Sequence, residues 1–241
     1  MPRIKGFDEI ELEIASHKGK IAVDEWANFS RIFVDIYQKN RSELTQLLEE
    51  PSKNDKLSME LFQNVRPPII KNMYTNEVLR SIFNYLSSLS SLVDVGLRLT
   101  RNYSDAQMEE YDKHKAVIVN SDINAFFGKL RNYIQHYGIP PIGWVTHLNE
   151  DKPNDCTYFL SKDKLLGWNE WGSKAKSYVL KGDVDLLESI RTHGKMIDEA
   201  YGTLLRLSSS IHSADMDEVN ILIRRRNDIL SGKIPIVDID D

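Results

Sequence analysis

A broad apolar stripe at helical spacing runs from about Thr75 to about Thr100, and it limits the fold more than any other feature of the sequence. Its members recur three or four residues apart: Val78, Leu79, Ile82, Phe83, Leu86, Leu89, Leu92, Val93 and Leu97. Because an α-helix has about 3.6 residues per turn, this spacing brings the apolar side chains to one face. A helix with such a face must pack against other elements, so the rest of the chain has to supply them.

Similar patterns predict further long helices on both sides of this segment. They are predicted to begin at Asp24, at Ser104 or Asp105, and at Asp183. The first runs to about Glu50. Two points stay open: "VNSDIN" at 119–124 either starts a new helix or lies within one, and the last helix either continues through Ile223 or is followed by another. The sequence therefore predicts an all-α helical bundle of four or five long helices.

Three segments depart from the helical pattern. Residues 8–15, "DEIELEIA", alternate polar and apolar side chains, which predicts a short strand or an extended arm. Residues 51–73 hold three prolines among polar residues and predict a loop, with room for one helical turn. The strings "IGWVTHL" and "CTYFLSK" flank a polar, turn-rich linker, so a β-hairpin is expected at about 142–162. A short helix is expected after this hairpin.

Length and composition indicate an ordinary globular chain. Its 241 residues suffice for a substantial core. The predicted division is an N-terminal arm at 1–23, a single helical-bundle domain at 24–232 and an acidic tail at 233–241. The net charge of −5 argues against a protein coated with basic surface, although it allows a local basic groove. The single cysteine, Cys156, cannot form an internal disulfide, which fits a reducing compartment.

The sequence carries no pattern for membrane insertion, export or cofactor binding. No apolar run approaches the ~20 residues that a membrane-spanning helix needs. The amino end, "MPRIKGFDEIELEI", lacks the basic-then-apolar order of a signal peptide. We therefore expect a cytoplasmic protein with no membrane partner. Histidines and cysteine are too few and too scattered for a zinc cluster, and no glycine-rich phosphate loop occurs, so neither a metal nor a cofactor is predicted.

The string "KLRNYIQHYGIPP" at 129–141 concentrates polar groups near the predicted end of a helix. On a helix over 122–138, one face serves the core, with Ile123, Phe126, Phe127, Leu130, Ile134 and Tyr137. Asn132 and His136 are four residues apart, so they lie on one side of the helix and can hydrogen-bond. Arg131 lies one step around from Asn132. The three polar groups therefore share one edge beside the buried face.

A structural role explains this edge without any function. Gly138 is well placed to follow the last helical turn, and Pro140 and Pro141 forbid continuation of the helix. A cation in the last turn is stabilised by the helix dipole, by ~0.3–1 kcal/mol when exposed. On spacing alone, the structural interpretation is therefore favoured.

The whole string, however, resembles the signature of the HEPN family (higher eukaryote and prokaryote nucleotide-binding domain). That signature is an Arg, four to six residues and a His, often with Asn, Asp or His directly after the Arg; here it is "RNYIQH" at 131–136. The resemblance covers about 75–230, but its specific part is this short string. Two features depart from the family pattern. Gly138 stands where some toxin members have a Tyr, and the hairpin and the helix from Asp24 exceed a minimal HEPN bundle.

The resemblance implies a metal-independent endoribonuclease, usually a homodimer in which two motifs face each other across a shared cleft. By this resemblance, His136 would act as general base or acid on the ribose 2′-hydroxyl or the leaving 5′-oxygen. Arg131 would stabilise the phosphate charge of the transition state, and Asn132 would orient His136 or the phosphate. These residue types suit the chemistry, because a histidine titrates near neutrality and the arginine fork matches a phosphate. Some family members have lost catalysis and only bind or scaffold.

Other basic residues are candidates for RNA contacts. The string "RRRN" at 224–227 places Arg224, Arg225 and Arg226 on a predicted helix. A solvated helix face is the favoured interpretation of this run, and an RNA contact is the alternative. Lys129, with Arg101 and Lys113 on nearby elements, would add to this arginine cluster if these residues converge.

The tryptophans and the remaining histidines are expected to serve the fold. Trp144, Trp168 and Trp171 bracket the hairpin, and core or dimer packing is expected of them before base stacking. Structural or surface roles are expected for His17, His114, His147, His193 and His212.

The sequence thus favours a HEPN-like endoribonuclease or RNA-binding protein with a role in toxin–antitoxin systems or phage defence. The expected partners are RNA, a second copy of the chain and an antitoxin protein. The alternative is a catalytically inactive, dimeric helical-bundle interaction module. A weaker idea is that the hairpin binds a separate protein or a small ligand.

Overall fold

The computed structural model describes residues 5–62, 69–147 and 155–233. Helices make up most of these ranges, and the first two strands of a small antiparallel sheet follow the helix that carries "RNYIQH", called the motif helix below. The predicted all-α bundle with a hairpin insertion is therefore confirmed.

The amino-terminal part is almost entirely helical over its described length. The elements are α1 (Lys5–Ser16), α2 (Lys18–Ser30), a π-helical segment (Arg31–Gln38), α3 (Lys39–Lys53) and α4 (Asp55–Phe62). The strand or extended arm predicted at 8–15 is wrong. Ile10 and Ile14 are buried against Val219, whereas Leu12 between them is 75% exposed. Packing selects the four-residue spacing of the two isoleucines, which a helix uses, over the two-residue alternation that a strand would use.

The helical segment predicted from Asp24 to about Glu50 extends beyond both of these ends. It begins at Lys18 instead of Asp24, and the ring Nδ1 of His17 accepts the N–H of Gly19 at 3.0 Å. At the other end, α3 includes Pro51. A proline leaves the carbonyl four residues earlier without its helical donor, and here the Tyr74 hydroxyl donates to the Leu47 carbonyl at 2.5 Å. A contact from another helix therefore compensates for the proline.

The central helices follow the sequence prediction more closely. They are α5 (Ile69–Leu99), a short 3₁₀ turn (Thr100–Asn102), α6 (Asp105–Asn120) and α7 (Asp122–His136). Ser104 and Gln107 form a reciprocal capping pair at the start of α6. Ser121 accepts the N–H of Asn124 at 3.2 Å, so "VNSDIN" starts a new helix. The loop predicted at 51–73 is wrong where α4 and the first turn of α5 stand, and Pro67 and Pro68 lie outside the described residues.

The carboxy-terminal part adds the sheet and two long helices. Its elements are β1 (Ile142–His147), β2 (Asp155–Leu160), α8 (Lys162–Leu165), α9 (Ser173–Leu180), β3 (Val184–Asp185), α10 (Leu186–Ile211) and α11 (Ser213–Leu230). The predicted hairpin is confirmed, with Ile142 opposite Leu160. The short strand β3 pairs with β2 and was not predicted. The chain turns at His212, so two separate helices follow Asp183.

Two groups of buried side chains lie in the described residues. The larger core includes α3, α5, α7, α9 and α10 and contains buried Trp168 and Trp171, which confirms core packing for these two tryptophans. The smaller group joins α1 to α11. None of the described helices is both long enough and apolar enough to cross a membrane.

Candidate functional site

Helix α7 positions the motif by burying one face. Ile123, Phe126, Phe127, Leu130 and Tyr133 are buried. The Tyr133 ring stacks on Trp171 at 5.7 Å and meets Trp168 edge-on at 5.4 Å between ring centroids. Tyr137, which the sequence placed on the core face, is instead 55% exposed. The helix ends at His136, so the helical periodicity used for that prediction no longer applies to Tyr137.

The end of α7 is set by the backbone and by the prolines that follow. The N–H groups of Tyr137 and Gly138 both donate to the carbonyl of Tyr133, at 2.9 and 3.0 Å. Gly138 stands where the sequence placed it, one residue past the capping Tyr137, but its φ is not positive. A Cβ at this position would meet nothing within 4 Å. A glycine is therefore not required here, and the prolines stop the helix.

The polar edge of α7 is open to solvent. His136 is exposed, while Arg131 and Asn132 are half-buried. The hydrogen bond that the sequence allowed between Asn132 and His136 is not formed. Across residues 5–62, 69–147 and 155–233, no hydrogen bond or ion pair engages any of these three side chains. The fold therefore leaves all three free to bind a ligand.

Arg131 also carries an unsatisfied donor. Its Nε atom is buried and has no hydrogen-bond partner. Leaving a buried donor unpaired costs about 1–3 kcal/mol, and more when the group is charged. Because solvent does not reach this Nε, an oxyanion would contact it only after neighbouring side chains move. The guanidinium fork itself matches two oxygens of a phosphate.

The other predicted RNA-binding residues lie in different packing environments. Arg224 and Arg225 are exposed on α11, whereas Arg226 forms an ion pair with Glu11 at 3.3 Å. Helix α11 packs mainly on α2 and α1, while α7 packs mainly on α9 and α5. Lys129 lies at the α7–α9 contact, where its Cε is 3.8 Å from the position of a Cβ on Gly172. Of these four basic residues, only Lys129 shares the motif helix.

The structure brings together two groups of polar residues that the sequence analysis did not connect: one around His193 and one around Arg41. His193 is fully buried and contacts Tyr85 and Asn124, which confirms its expected structural role. A cleft between α3 and α10 brings together Arg41 and Lys195. No local pattern reveals either group, because their members are far apart in sequence.

The motif edge thus combines an exposed histidine, a half-buried asparagine and an arginine with an unpaired donor. This combination suits proton transfer next to a bound oxyanion. Comparisons of the chain with protein-family models, with curated proteins and with solved structures gave no match.

Proposed function

We propose that this chain is a HEPN-like, metal-independent endoribonuclease that cleaves RNA at the edge formed by Arg131, Asn132 and His136. One observation carries the proposal. These side chains lie at the open end of α7 without intramolecular partners among the described residues, and the Nε of Arg131 is buried and unpaired. Buried donors without a partner are uncommon in folded proteins, although the core hydroxyl of Tyr158 is another in this structure.

The proposed chemistry is an internal displacement at phosphorus. The ribose 2′-oxygen loses its proton and attacks the adjacent phosphate, the bond to the 5′-oxygen breaks, and the 5′-oxygen takes up a proton. His136 carries one of these protons, Arg131 holds the phosphate oxygens whose charge increases, and Asn132 orients His136 or the phosphate. The products are a 2′,3′-cyclic phosphate and a free 5′-hydroxyl, and DNA is not a substrate because it lacks the attacking oxygen.

The surface next to the motif suits a homodimer. Tyr137 is 55% exposed and Ile139 is 75% exposed, directly after His136. Two large apolar side chains two residues apart can form part of an apolar contact with a partner, and twofold dimers are the commonest closed assembly. A second copy on this surface would bring two motif edges close together. The same apolar surface favours the second candidate function, a dimeric interaction module without catalysis, whose partners include an antitoxin protein.

The decisive experiment compares pure wild type with His136→Ala, Arg131→Ala and the matched control His114→Ala. Each protein is incubated with a defined RNA and with DNA of the same sequence in EDTA, and melting curves are recorded in parallel. The His136 and Arg131 variants should cleave roughly 10²–10⁴-fold more slowly. The His114 variant, changed on α6 outside the motif helix, should keep wild-type activity.

Three outcomes would contradict the proposal. Equal cleavage by all four proteins would identify a contaminating nuclease. Absence of cleavage over a broad set of RNAs by the folded wild type would favour the inactive module. A large drop in melting temperature for His136→Ala or Arg131→Ala would indicate that the edge serves the fold.

A further inference from the structure

A cleft between α3 and α10 is lined by three cations, although the whole chain carries a net charge of −5. Its volume is about 350 Å³, which lies in the range of about 300–1,000 Å³ typical of small-molecule sites. The polar side chains that line it include Arg41, Ser42 and Thr45 from α3 and Arg191, Lys195 and Asp198 from α10. The motif edge on α7 contributes no lining residue.

Arg41 is held in place on the wall of the cleft. Its Nη1 lies 2.6 Å from Oδ2 of Asp198, and its guanidinium carbon lies 5.8 Å from the centre of the Tyr37 ring. Gln38 donates to the other carboxylate oxygen of Asp198 at 3.2 Å. A Cβ on Gly194 would lie only 2.6 Å from Arg41, so the glycine allows this close approach. The guanidinium is therefore positioned before any ligand arrives, which lowers the entropic cost of binding.

The other two cations keep free donors. Arg191 and Lys195 lie one turn apart on α10, so both point from the same face. One terminal nitrogen of Arg191 pairs with Glu49, whose charge is shared with Lys53. Lys195 is exposed and has no ion pair in the described ranges. The cleft thus offers an ammonium group and part of a guanidinium to an incoming oxyanion.

We propose that this cleft binds the phosphate group of a small phosphomonoester. Three cations and one carboxylate line it, and Glu49 beside Arg191 is shared with Lys53, so the cleft keeps a positive charge. A phosphomonoester, which carries about −1.5 to −2 at neutral pH, complements this charge. The hydroxyls of Ser42 and Thr45 suit the polar remainder of a sugar phosphate. RNA fits less well, because the described residues that line the cleft include no aromatic ring to stack a base and each backbone phosphate carries a single negative charge. This site is independent of cleavage at His136.

Isothermal titration calorimetry at low salt tests the proposal, with inorganic phosphate and ribose 5-phosphate as probes. Ribose serves as the uncharged control ligand, and a short RNA is titrated separately. Both phosphates should bind saturably to the full chain, and ribose should not. Lys195→Ala and Arg191→Ala should each weaken binding at least about tenfold, or about 1.4 kcal/mol. Lys176→Ala, a change of an exposed lysine on α9, should leave binding unchanged.

Three results would overturn the proposal. The first is no saturable binding of either phosphate to the folded wild type. The second is binding that Lys195→Ala leaves unchanged, which would place the phosphate elsewhere. The third is RNA binding that depends on Lys195 without any phosphomonoester binding, which would make the cleft a contact for the RNA backbone. Because none of these readouts involves cleavage, failure here is distinguishable from failure of the proposed ribonuclease.

Discussion

The ring Nδ1 of His193 lies 2.7 Å from the Tyr85 hydroxyl in the core of the bundle, and its Nε2 lies 3.2 Å from Oδ1 of Asn124. The amide oxygen of Asn124 can only accept, so Nε2 carries a hydrogen. Burial favours the neutral imidazole, so Nδ1 carries no hydrogen and accepts from the Tyr85 hydroxyl. This arrangement also ties α10 and α5 to the first turn of the motif helix α7.

The buried imidazole predicts a loss of stability at acidic pH. Burial, together with the positive charge of Arg41, lowers the pKa of His193 to about 3, whereas an unfolded histidine has a pKa of about 6.5. Between these values the unfolded chain binds a proton that the folded chain does not. The contribution of the neutral His193 to the free energy of unfolding should therefore be fully present above about pH 6.5. Below that pH, the free energy of unfolding should fall by up to about 1.4 kcal/mol per pH unit.

Urea unfolding between about pH 7 and about pH 5 measures this contribution. His193→Gln keeps a polar group that can bond to Tyr85 and removes the titration, so its stability should be lower at neutral pH and should depend less on pH. His114→Gln should show the slope of the wild type with little loss of stability. Equal slopes for wild type and His193→Gln would contradict the assignment of the proton to His193.

Gly194 and Gly128 should respond in opposite directions to alanine. Both lie inside helices, where a change from glycine to alanine gains about 0.5–1 kcal/mol when space allows. At Gly128 a Cβ meets nothing within 4 Å, so Gly128→Ala should stabilise the protein by about this amount. At Gly194 it would lie 2.6 Å from Arg41, so Gly194→Ala should destabilise by about 1–3 kcal/mol. Chemical denaturation of both variants measures the difference, and a stabilised Gly194→Ala would show that Arg41 moves away without cost.

The sequence was most informative where local spacing decides structure. The stripe from Val78 to Leu97 and the serine before α6 act within a few residues, so the existence of α5 and the start of α6 were predicted correctly, whereas the start of α7 at Ser121 stayed open. The prediction failed where a distant contact decides. Residues 8–15 are helical because Ile10 and Ile14 pack on Val219, about two hundred positions away along the chain. The motif edge lies on one helix and could be found from its own string, whereas the cleft of Arg41 and Lys195 could not.

The hydrogen bond from the Tyr74 hydroxyl to the Leu47 carbonyl explains why α3 tolerates Pro51, and its contribution can be measured. Tyr74→Phe removes the hydroxyl that satisfies the Leu47 carbonyl, so the free energy of unfolding should fall by about 1–3 kcal/mol. Tyr158→Phe is a matched control, because the hydroxyl of Tyr158 is buried without a partner and its removal should be neutral or stabilising. Thermal and urea unfolding compare the two variants. Equal changes in the two variants would mean that the hydrogen bond to the Leu47 carbonyl makes no specific contribution to stability.

Dimerisation through the end of α7 is the last prediction, and it links the apolar surface to the proposed chemistry. Ile139 is 75% exposed beside the motif, and a lysine there would bring a charge into the proposed contact between two copies. Light scattering at micromolar concentration should give twice the monomer mass for wild type and the monomer mass for Ile139→Lys. Ile221→Lys, which changes a 64% exposed residue of α11, should remain dimeric. Because neither side chain is buried, both variants should melt close to the wild type.

Under the proposed mechanism, only Ile139→Lys should also lose RNA cleavage. A monomeric wild type would argue against a shared cleft, and an active monomeric Ile139→Lys would show that one copy of Arg131 and His136 is enough.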